Sequence, residues 1–229
     1  MLRDEFTIFK QMDDLLLPTL FDYSLTDATN TEHSVTRKEA EYLFSFFKEC
    51  PLFRWKDVHN NCEARAEAVC LLLDAWHIPN YKGWVFSGAF LKNHIGGLKQ
   101  FWNYHVAALL QVKANDANEF YIIDPSTATE LILLNDWAAN VTEYPHSYHF
   151  IKNAGVYIFP SGAIGKYNWH RRSKQNKKWT IQGLAGINGV TKTGKAQLMF
   201  QKKRISNAGF DFEVLKKVNP LQNRFVVEI

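Results

Sequence analysis

The segment between His59 and Pro79 constrains the fold most, because it has the strongest helical pattern in the sequence. Its apolar residues recur at steps of three and four, which predicts a helix with one buried face; they are Ala66, Val69, Cys70, Leu73 and Trp76. The charged residues fall elsewhere; they are Glu63, Glu67 and Asp74. Pro79 ends the helix, because proline cannot donate a backbone hydrogen bond.

The start of this helix places a cysteine in a reactive setting. Asn60 is a suitable N-cap, and Glu63 follows three residues later in an approximate capping box. Cys62 is therefore expected in the first helical turn. The unpaired N–H groups and positive dipole end there lower the pKa of a thiol, as a neighbouring imidazolium also does.

After the helix, polar residues recur at a spacing of two, which predicts strands. The strand-like ranges are 81–90, 101–112 and 119–124, with a short polar turn between the last two. Those two ranges should form an antiparallel hairpin. A helix followed by antiparallel strands indicates the α+β class.

The hairpin brings a histidine close to an aspartate. If its turn centres between residues 114 and 115, His105 and Asp124 lie directly opposite each other, with Cβ atoms about 5 Å apart. Pro125 ends the second strand and leaves the Asp124 carboxylate near the imidazole. Cys62, His105 and Asp124 then form the arrangement that nucleophilic acyl transfer requires. The structural alternatives are a buried cysteine, a hydrogen-bonded core histidine and an aspartate that caps its own turn.

Three sequence blocks carry a family resemblance. Residues 61–66 read NCEARA, residues 102–107 read WNYHVA and residues 122–126 read IIDPS, and weaker blocks follow at residues 134–137 and 156–162. In order and in gaps they resemble the motifs of the bacterial protein-glutaminase (protein glutamine deamidase) family, over roughly residues 50–162. Two positions depart from the family's pattern. Asn61 stands where glycine is usual, and Glu63 stands where an aromatic residue is usual.

The resemblance implies a papain-like, transglutaminase-related core. It also implies hydrolysis of the side-chain amide of protein-bound glutamine to glutamate, with release of ammonia. In this reaction Cys62 is the nucleophile, His105 the general base and acid, and Asp124 the residue that orients the imidazole. The Cys62 backbone N–H and a second donor would hold the oxyanion; the candidates for substrate and oxyanion binding are Asn61, Trp55, Trp102 and Tyr104. Neither a metal nor an organic cofactor is expected, and the partner is a protein substrate with an accessible glutamine.

Charged residues are distributed unevenly along the chain. Residues 1–160 hold 13 Lys and Arg against 20 Asp and Glu, whereas residues 161–229 hold 14 against 3. The basic part could meet an acidic protein or an anionic membrane, and no nucleic-acid module accompanies it.

We expect the protein to be a monomer whose chain has three parts. Residues 1–45 form an N-terminal helical flank, with helices at 4–17 and 36–50. Residues 46–162 form the catalytic core. Residues 163–229 form a basic region packed on that core, with strands predicted at 179–187, 196–201 and 224–229.

The composition of the chain excludes several classes of protein. With 46% hydrophobic and 22% charged residues the chain is globular, and three cysteines do not make a disulfide framework. The apolar run at residues 15–21 is broken by Pro18 and preceded by two aspartates. It is therefore neither the apolar region of a signal peptide nor a membrane span, which needs about 20 apolar residues. We therefore expect the bacterial cytoplasm or a signal-independent route of secretion. One hypothesis is delivery into a host or target cell as an effector or toxin.

Two other kinds of function fit the same residues. A transglutaminase, a cysteine protease or an isopeptidase could use the same triad, because the motif specifies neither the acyl acceptor nor the bond that is cleaved. The chain would otherwise be a non-catalytic binding module that works through its basic C-terminal region. Mass spectrometry of treated substrate separates the enzymes, and the reactivity of the Cys62 thiol separates the binding module from all of them.

Overall fold

The computed structural model describes residues 34–56, 61–86, 90–91, 100–101, 104–114, 117–141, 148–154, 156–160, 167–171, 174–187 and 215–222. The helices are α1 (Arg37–Glu49), a short 3-10 helix (Pro51–Phe53), α2 (Cys62–Ala75), α3 (Leu134–Val141) and α4 (Lys174–Ile187). The strands are β1 (Asn80–Phe86), β2 (Phe90–Leu91), β3 (Gln100–Phe101), β4 (Tyr104–Ala114), β5 (Ala117–Ile123), β6 (Ile132–Leu133), β7 (Tyr148–Asn153), β8 (Val156–Pro160) and β9 (Tyr167–Arg171).

Five strands form one antiparallel sheet in the order β6-β5-β4-β1-β7. Strands β2 and β3 form a separate antiparallel pair, and so do β8 and β9. The predicted hairpin is confirmed, since β4 pairs with β5 along its length. A helix-and-antiparallel-sheet architecture confirms the α+β class.

Strand β4 lies at the centre of the sheet and is buried on both faces. Ala108, Leu110 and Val112 pack into the cluster that α1 and α2 cover. Ala107 and Leu109 pack on the other face, into the cluster that contains Trp137 of α3. Successive residues of a strand point to opposite faces, so each set of side chains has its own helical layer. The register of β4 is thereby fixed.

Helix α2 has nearly the predicted bounds, but its buried surface is wider than predicted. Glu67, expected away from the buried face, is 0% exposed, and its carboxylate lies 2.6 Å from the ammonium of Lys82, which is 1% exposed. Arg65 is also buried, and it donates hydrogen bonds to the carbonyls of Phe53 and Arg54. A charged side chain enters a core only when it is paired and hydrogen-bonded, as these are. They tie α2 to β1 and to the 3-10 helix.

Helix α1 confirms the predicted helix at 36–50. It begins after a Thr36 N-cap, whose side chain forms a capping box with Glu39. Its buried side chains are Ala40, Leu43, Phe44 and Phe47. The helix predicted at 4–17 lies outside the described residues. No described helix combines the length and the apolar character needed to cross a membrane.

Helix α4 contradicts the strand predicted at residues 179–187. Thr180, Leu184 and Ile187 are buried and recur at helical steps of four and three. Leu184 and Ile187 join the core cluster of α1 and α2. The glycines at 183 and 186 argued against a helix in the sequence, because glycine has low helix propensity. The strands predicted at residues 196–201 and 224–229 lie outside the described residues.

Residues 215–222 also lie against the core. The Trp76 indole N–H donates to the Leu215 carbonyl at 3.1 Å, and the Asn219 amide donates to the Trp76 carbonyl at 3.3 Å. Leu221 is buried in the cluster with α1 and α2. Residues 215–222 therefore complete the layer around the end of α2.

The two glycines of α4 differ in their surroundings. A Cβ added at Gly183 would lie 2.4 Å from the Cβ of Ala64, in the first turn of α2. A Cβ added at Gly186 would meet no atom within 4 Å. Only Gly183 is thus needed for the close approach of α4 to the start of α2.

These surroundings predict opposite effects for two alanine substitutions. Gly186→Ala should stabilise the protein by roughly 0.5–1 kcal/mol, because alanine has the higher helix propensity. Gly183→Ala should destabilise it by about 1–3 kcal/mol, as overpacking does. Urea unfolding of both variants and the wild type measures the difference. Equal stabilisation by the two substitutions would show that α4 does not pack on Ala64.

Candidate active site

The hairpin places His105 and Asp124 in direct contact. The His105 Nε2 and Asp124 Oδ2 atoms lie 2.7 Å apart, and both residues are buried. Ala114 pairs with Ala117, so the turn centres one residue later than the predicted position. The two residues are therefore diagonal neighbours on one face of the sheet instead of directly opposite, and their side chains span the difference.

The Asp124 carboxylate accepts several further hydrogen bonds. The Ser126 hydroxyl and backbone N–H donate to Oδ1, and the Thr127 hydroxyl donates to Oδ2. The Trp137 indole N–H donates in turn to the Thr127 hydroxyl at 2.8 Å, and the Trp137 ring lies 5.5 Å from the imidazole of His105. Asp124 thus caps its own turn and also binds His105.

The sequence patterns did not predict these hydrogen bonds to Asp124. A signal for some of them was present, because an aspartate followed by proline, serine and threonine is typical of a turn in which the carboxylate accepts local hydrogen bonds. No local pattern indicated Trp137, which reaches the site from α3.

The environment holds Asp124 ionised. Burial alone would raise the pKa of this carboxyl group. The charge interaction with His105 and the hydrogen bonds from His105, Ser126 and Thr127 outweigh burial and lower the pKa from 3.8 to about 2. Nε2 of His105 is occupied by this carboxylate, so Nδ1 is the ring nitrogen that would carry a proton to and from a substrate.

Cys62 is the first residue of α2, but the cap before it differs from the prediction. The N-cap is Asn61, without a side-chain capping bond, and Asn60 lies outside the described residues. Asn61 has φ 70° and ψ 27°, in the left-handed region that glycine and asparagine tolerate best. This conformation explains how asparagine can stand where the family pattern has glycine.

The Cys62 sulfur lies beside β4. The backbone N–H of Val106, the residue after His105, donates to the sulfur, while the thiol itself donates to Oε2 of Glu63 at 3.4 Å. A thiol has one hydrogen, so in this arrangement the proton is directed to Glu63 and not to His105.

The expectation of a lowered Cys62 pKa is wrong. Burial, and after it the charge of Glu63, raise the pKa of the Cys62 thiol well above its ordinary value, and the Val106 N–H offsets this only in part. Position at a helix N-terminus is therefore not enough to ionise the thiol in this environment. The resting cysteine is a neutral thiol.

The structure separates the remaining candidates. The Trp55 indole N–H donates to the Phe47 carbonyl at 2.7 Å inside the core, so Trp55 has no donor left for an oxyanion. The Tyr104 hydroxyl donates to Oε1 of Glu63, which places Tyr104 beside the thiol. The Asn61 side chain lies against Gly183 of α4. Trp102 lies outside the described residues.

Two clusters thus stand side by side at the start of β4. One contains Cys62, Glu63 and Tyr104, and the other contains His105 and Asp124. All three cysteines of the chain are free thiols. Within the described part of the chain, no three His, Cys, Asp or Glu side chains gather closely enough to hold a metal ion.

Known proteins resemble this chain in sequence and in fold. A family model described as "Glutaminase" matches residues 40–141, a range that includes Cys62, His105 and Asp124. A crystal structure of protein-glutaminase has a TM-score of 0.53 at 19% identity, with 71% of this chain and 91% of that chain covered. The NMR structure of protein-glutaminase from Chryseobacterium proteolyticum has a TM-score of 0.48 at 20% identity, over 68% of this chain and 86% of that chain.

A crystal structure of pro-protein-glutaminase matches with a TM-score of 0.53 at 20% identity. It covers 68% of this chain, which spans 58% of that longer protein. No curated protein matches the chain by sequence. The crystal structures confirm the predicted papain-like, transglutaminase-related fold. The family model adds a likeness in sequence over residues 40–141, which is somewhat less than half of the chain.

Proposed function

We propose that this chain deamidates protein-bound glutamine with Cys62, His105 and Asp124 as its catalytic triad. The observation that carries the proposal is the buried 2.7 Å contact between His105 and Asp124, next to the strand position whose N–H binds the Cys62 sulfur. The family whose model matches residues 40–141 consists of cysteine-dependent amidohydrolases, which supports the same chemistry. A glutamine side chain of a protein is the substrate that this chemistry fits.

The first half of the reaction transfers the acyl group to sulfur. Nδ1 of His105 takes the Cys62 proton as the sulfur attacks the glutamine Cδ carbonyl, while Asp124 holds Nε2 and stabilises the imidazolium. The Cys62 backbone N–H, at the start of α2, is placed to stabilise the oxyanion. His105 then protonates the departing nitrogen, the C–N bond breaks, and ammonia leaves a thioester on Cys62.

The second half returns the enzyme to its starting state. His105 accepts a proton from water as the water oxygen attacks the thioester carbonyl. The C–S bond breaks, the sulfur regains its proton, and the product is protein-bound glutamate. Because burial and Glu63 favour the protonated thiol, we expect proton transfer to His105 to accompany substrate binding or attack.

Replacement of the nucleophile tests this function. Cys62→Ala should abolish ammonia release from a glutamine-containing protein while circular dichroism shows a folded chain. Cys50→Ala is the matched control, because Cys50 is buried in the core cluster away from the site, and it should retain activity.

The mass of the treated substrate identifies the reaction in the same experiment. Deamidation adds about 1 Da per glutamine, whereas crosslinking joins chains and proteolysis shortens them. Ammonia release by Cys62→Ala at the wild-type rate would contradict the proposal.

The lowered pKa of Asp124 predicts an acid-dependent loss of stability. The carboxylate is stabilised in the folded chain, so its contribution is complete above about pH 4 and is lost as the pH falls towards 2. The shift from 3.8 to about 2 corresponds to about 2 kcal/mol of unfolding free energy.

Asp124→Asn provides the comparison, because its amide does not titrate. Urea unfolding between pH 5 and pH 2 should show the wild type losing about 2 kcal/mol more than the variant. Parallel curves for the two proteins would mean that Asp124 is not held ionised by His105, Ser126 and Thr127.

A further inference from the structure

The carboxylate of Glu63 contacts the candidate nucleophile, the Cys62 thiol. Oε2 of Glu63 accepts the Cys62 thiol at 3.4 Å, and Oε1 of Glu63 accepts the Tyr104 hydroxyl. The Tyr104 ring packs at 5.6 Å against Trp84, which is buried. The Glu63 carboxylate is therefore held in place beside the sulfur.

The negative charge of Glu63 works against catalysis in the resting protein. Glu63 and Asp124 are two ionisable groups that act on the Cys62 thiol, and both raise its pKa. Asp124 has the His105 imidazole as its partner at 2.7 Å. The two contacts that the structure gives Glu63 come from neutral donors, a thiol and a phenol.

A positive charge brought to Glu63 would remove this effect. It would neutralise the carboxylate, weaken its hold on the thiol hydrogen and favour transfer of that proton to His105. The substrate itself is the source of such a charge. When the glutamine Cδ is within reach of Cys62, a residue one or two positions away lies within about 7 Å along an extended chain. A Lys or Arg side chain at that distance reaches Glu63.

We propose that Glu63 determines substrate specificity, so that the enzyme prefers glutamines with a Lys or Arg one or two residues away. The basic side chain pairs with the Glu63 carboxylate, and the Cys62 proton then passes to Nδ1 of His105. An acidic neighbour is disfavoured by repulsion from the same carboxylate. This preference rests on the proposed deamidase function.

Matched peptides test the preference. Three peptides differ only in the residue after a single glutamine, which is Lys, Ser or Glu, and kcat/KM is measured from ammonia release. The wild type should prefer the Lys peptide over the Glu peptide by at least about tenfold, the effect of one unit of pKa. Glu63→Gln keeps an acceptor for Tyr104 but loses the charge, and it should reduce the preference to about twofold or less.

Glu130→Gln is the control for the loss of one negative charge. Glu130 is exposed and lies on the turn that follows Ala128, so its substitution should leave the tenfold preference intact. An equal preference in the wild type and Glu63→Gln would overturn the proposal, and so would a wild type that does not distinguish the peptides. Absence of ammonia from every peptide with a folded wild type would instead overturn the deamidase function, and the preference with it.

Alkylation of Cys62 tests the charge effect without turnover. Iodoacetamide labelling at a series of pH values, with peptide mapping to assign the modified cysteine, gives the pH at which Cys62 reacts. Glu63→Gln should react at a pH lower by about one unit than the wild type or Glu130→Gln. The same reaction pH in Glu63→Gln and in the wild type would overturn the role of Glu63, whatever the peptides show.

Discussion

The register between β4 and β5 is the constraint on which the candidate site depends. A slip of one residue would turn His105 to the opposite face of the sheet and break its contact with Asp124. The register cannot slip, because β4 is buried on both faces by different layers, with α1 and α2 on one side and α3 on the other. Ordinary core packing thus sets the geometry of the catalytic pair.

The environment of the candidate site shifts the pKa values of two ionisable groups in opposite directions. Asp124 is buried but receives hydrogen bonds and the charge of His105, so it stays ionised. Cys62 is partly buried beside a carboxylate, and both effects favour the protonated thiol. Groups whose pKa values are pushed apart are typical of sites that move protons. In our proposal, the reactivity of the protonated thiol therefore depends on a positive charge of the substrate, which pairs with the Glu63 carboxylate.

The sequence predicted the parts of the site that local patterns determine. Helical spacing located α2 and put Cys62 in its first turn, and the period of two with a short turn paired His105 with Asp124. The cap and the turn were each displaced by one residue, because backbone conformation at Asn61 and between Ala114 and Ala117 decides them. Such one-residue choices are not visible in composition or periodicity.

Tertiary contacts account for what the sequence could not predict. Glu67 is buried because Lys82, fifteen residues away, pairs with it. Helix α4 was predicted as a strand because the close approach at Gly183, which requires a glycine, depends on Ala64 in another helix. The raised pKa of Cys62 likewise follows from burial and from the direction of the Glu63 side chain. Helix position alone predicted the opposite.

Hydroxylamine partitioning shows whether an acyl group passes through the Cys62 sulfur. A thioester that reacts with water also reacts with hydroxylamine, which converts the bound acyl group to a glutamyl hydroxamate. We expect rising hydroxylamine concentrations to replace glutamate by the hydroxamate in the product, while ammonia release continues at an equal or higher rate. Continued ammonia release with glutamate as the sole product would mean that water attacks the amide directly and that no thioester forms on Cys62.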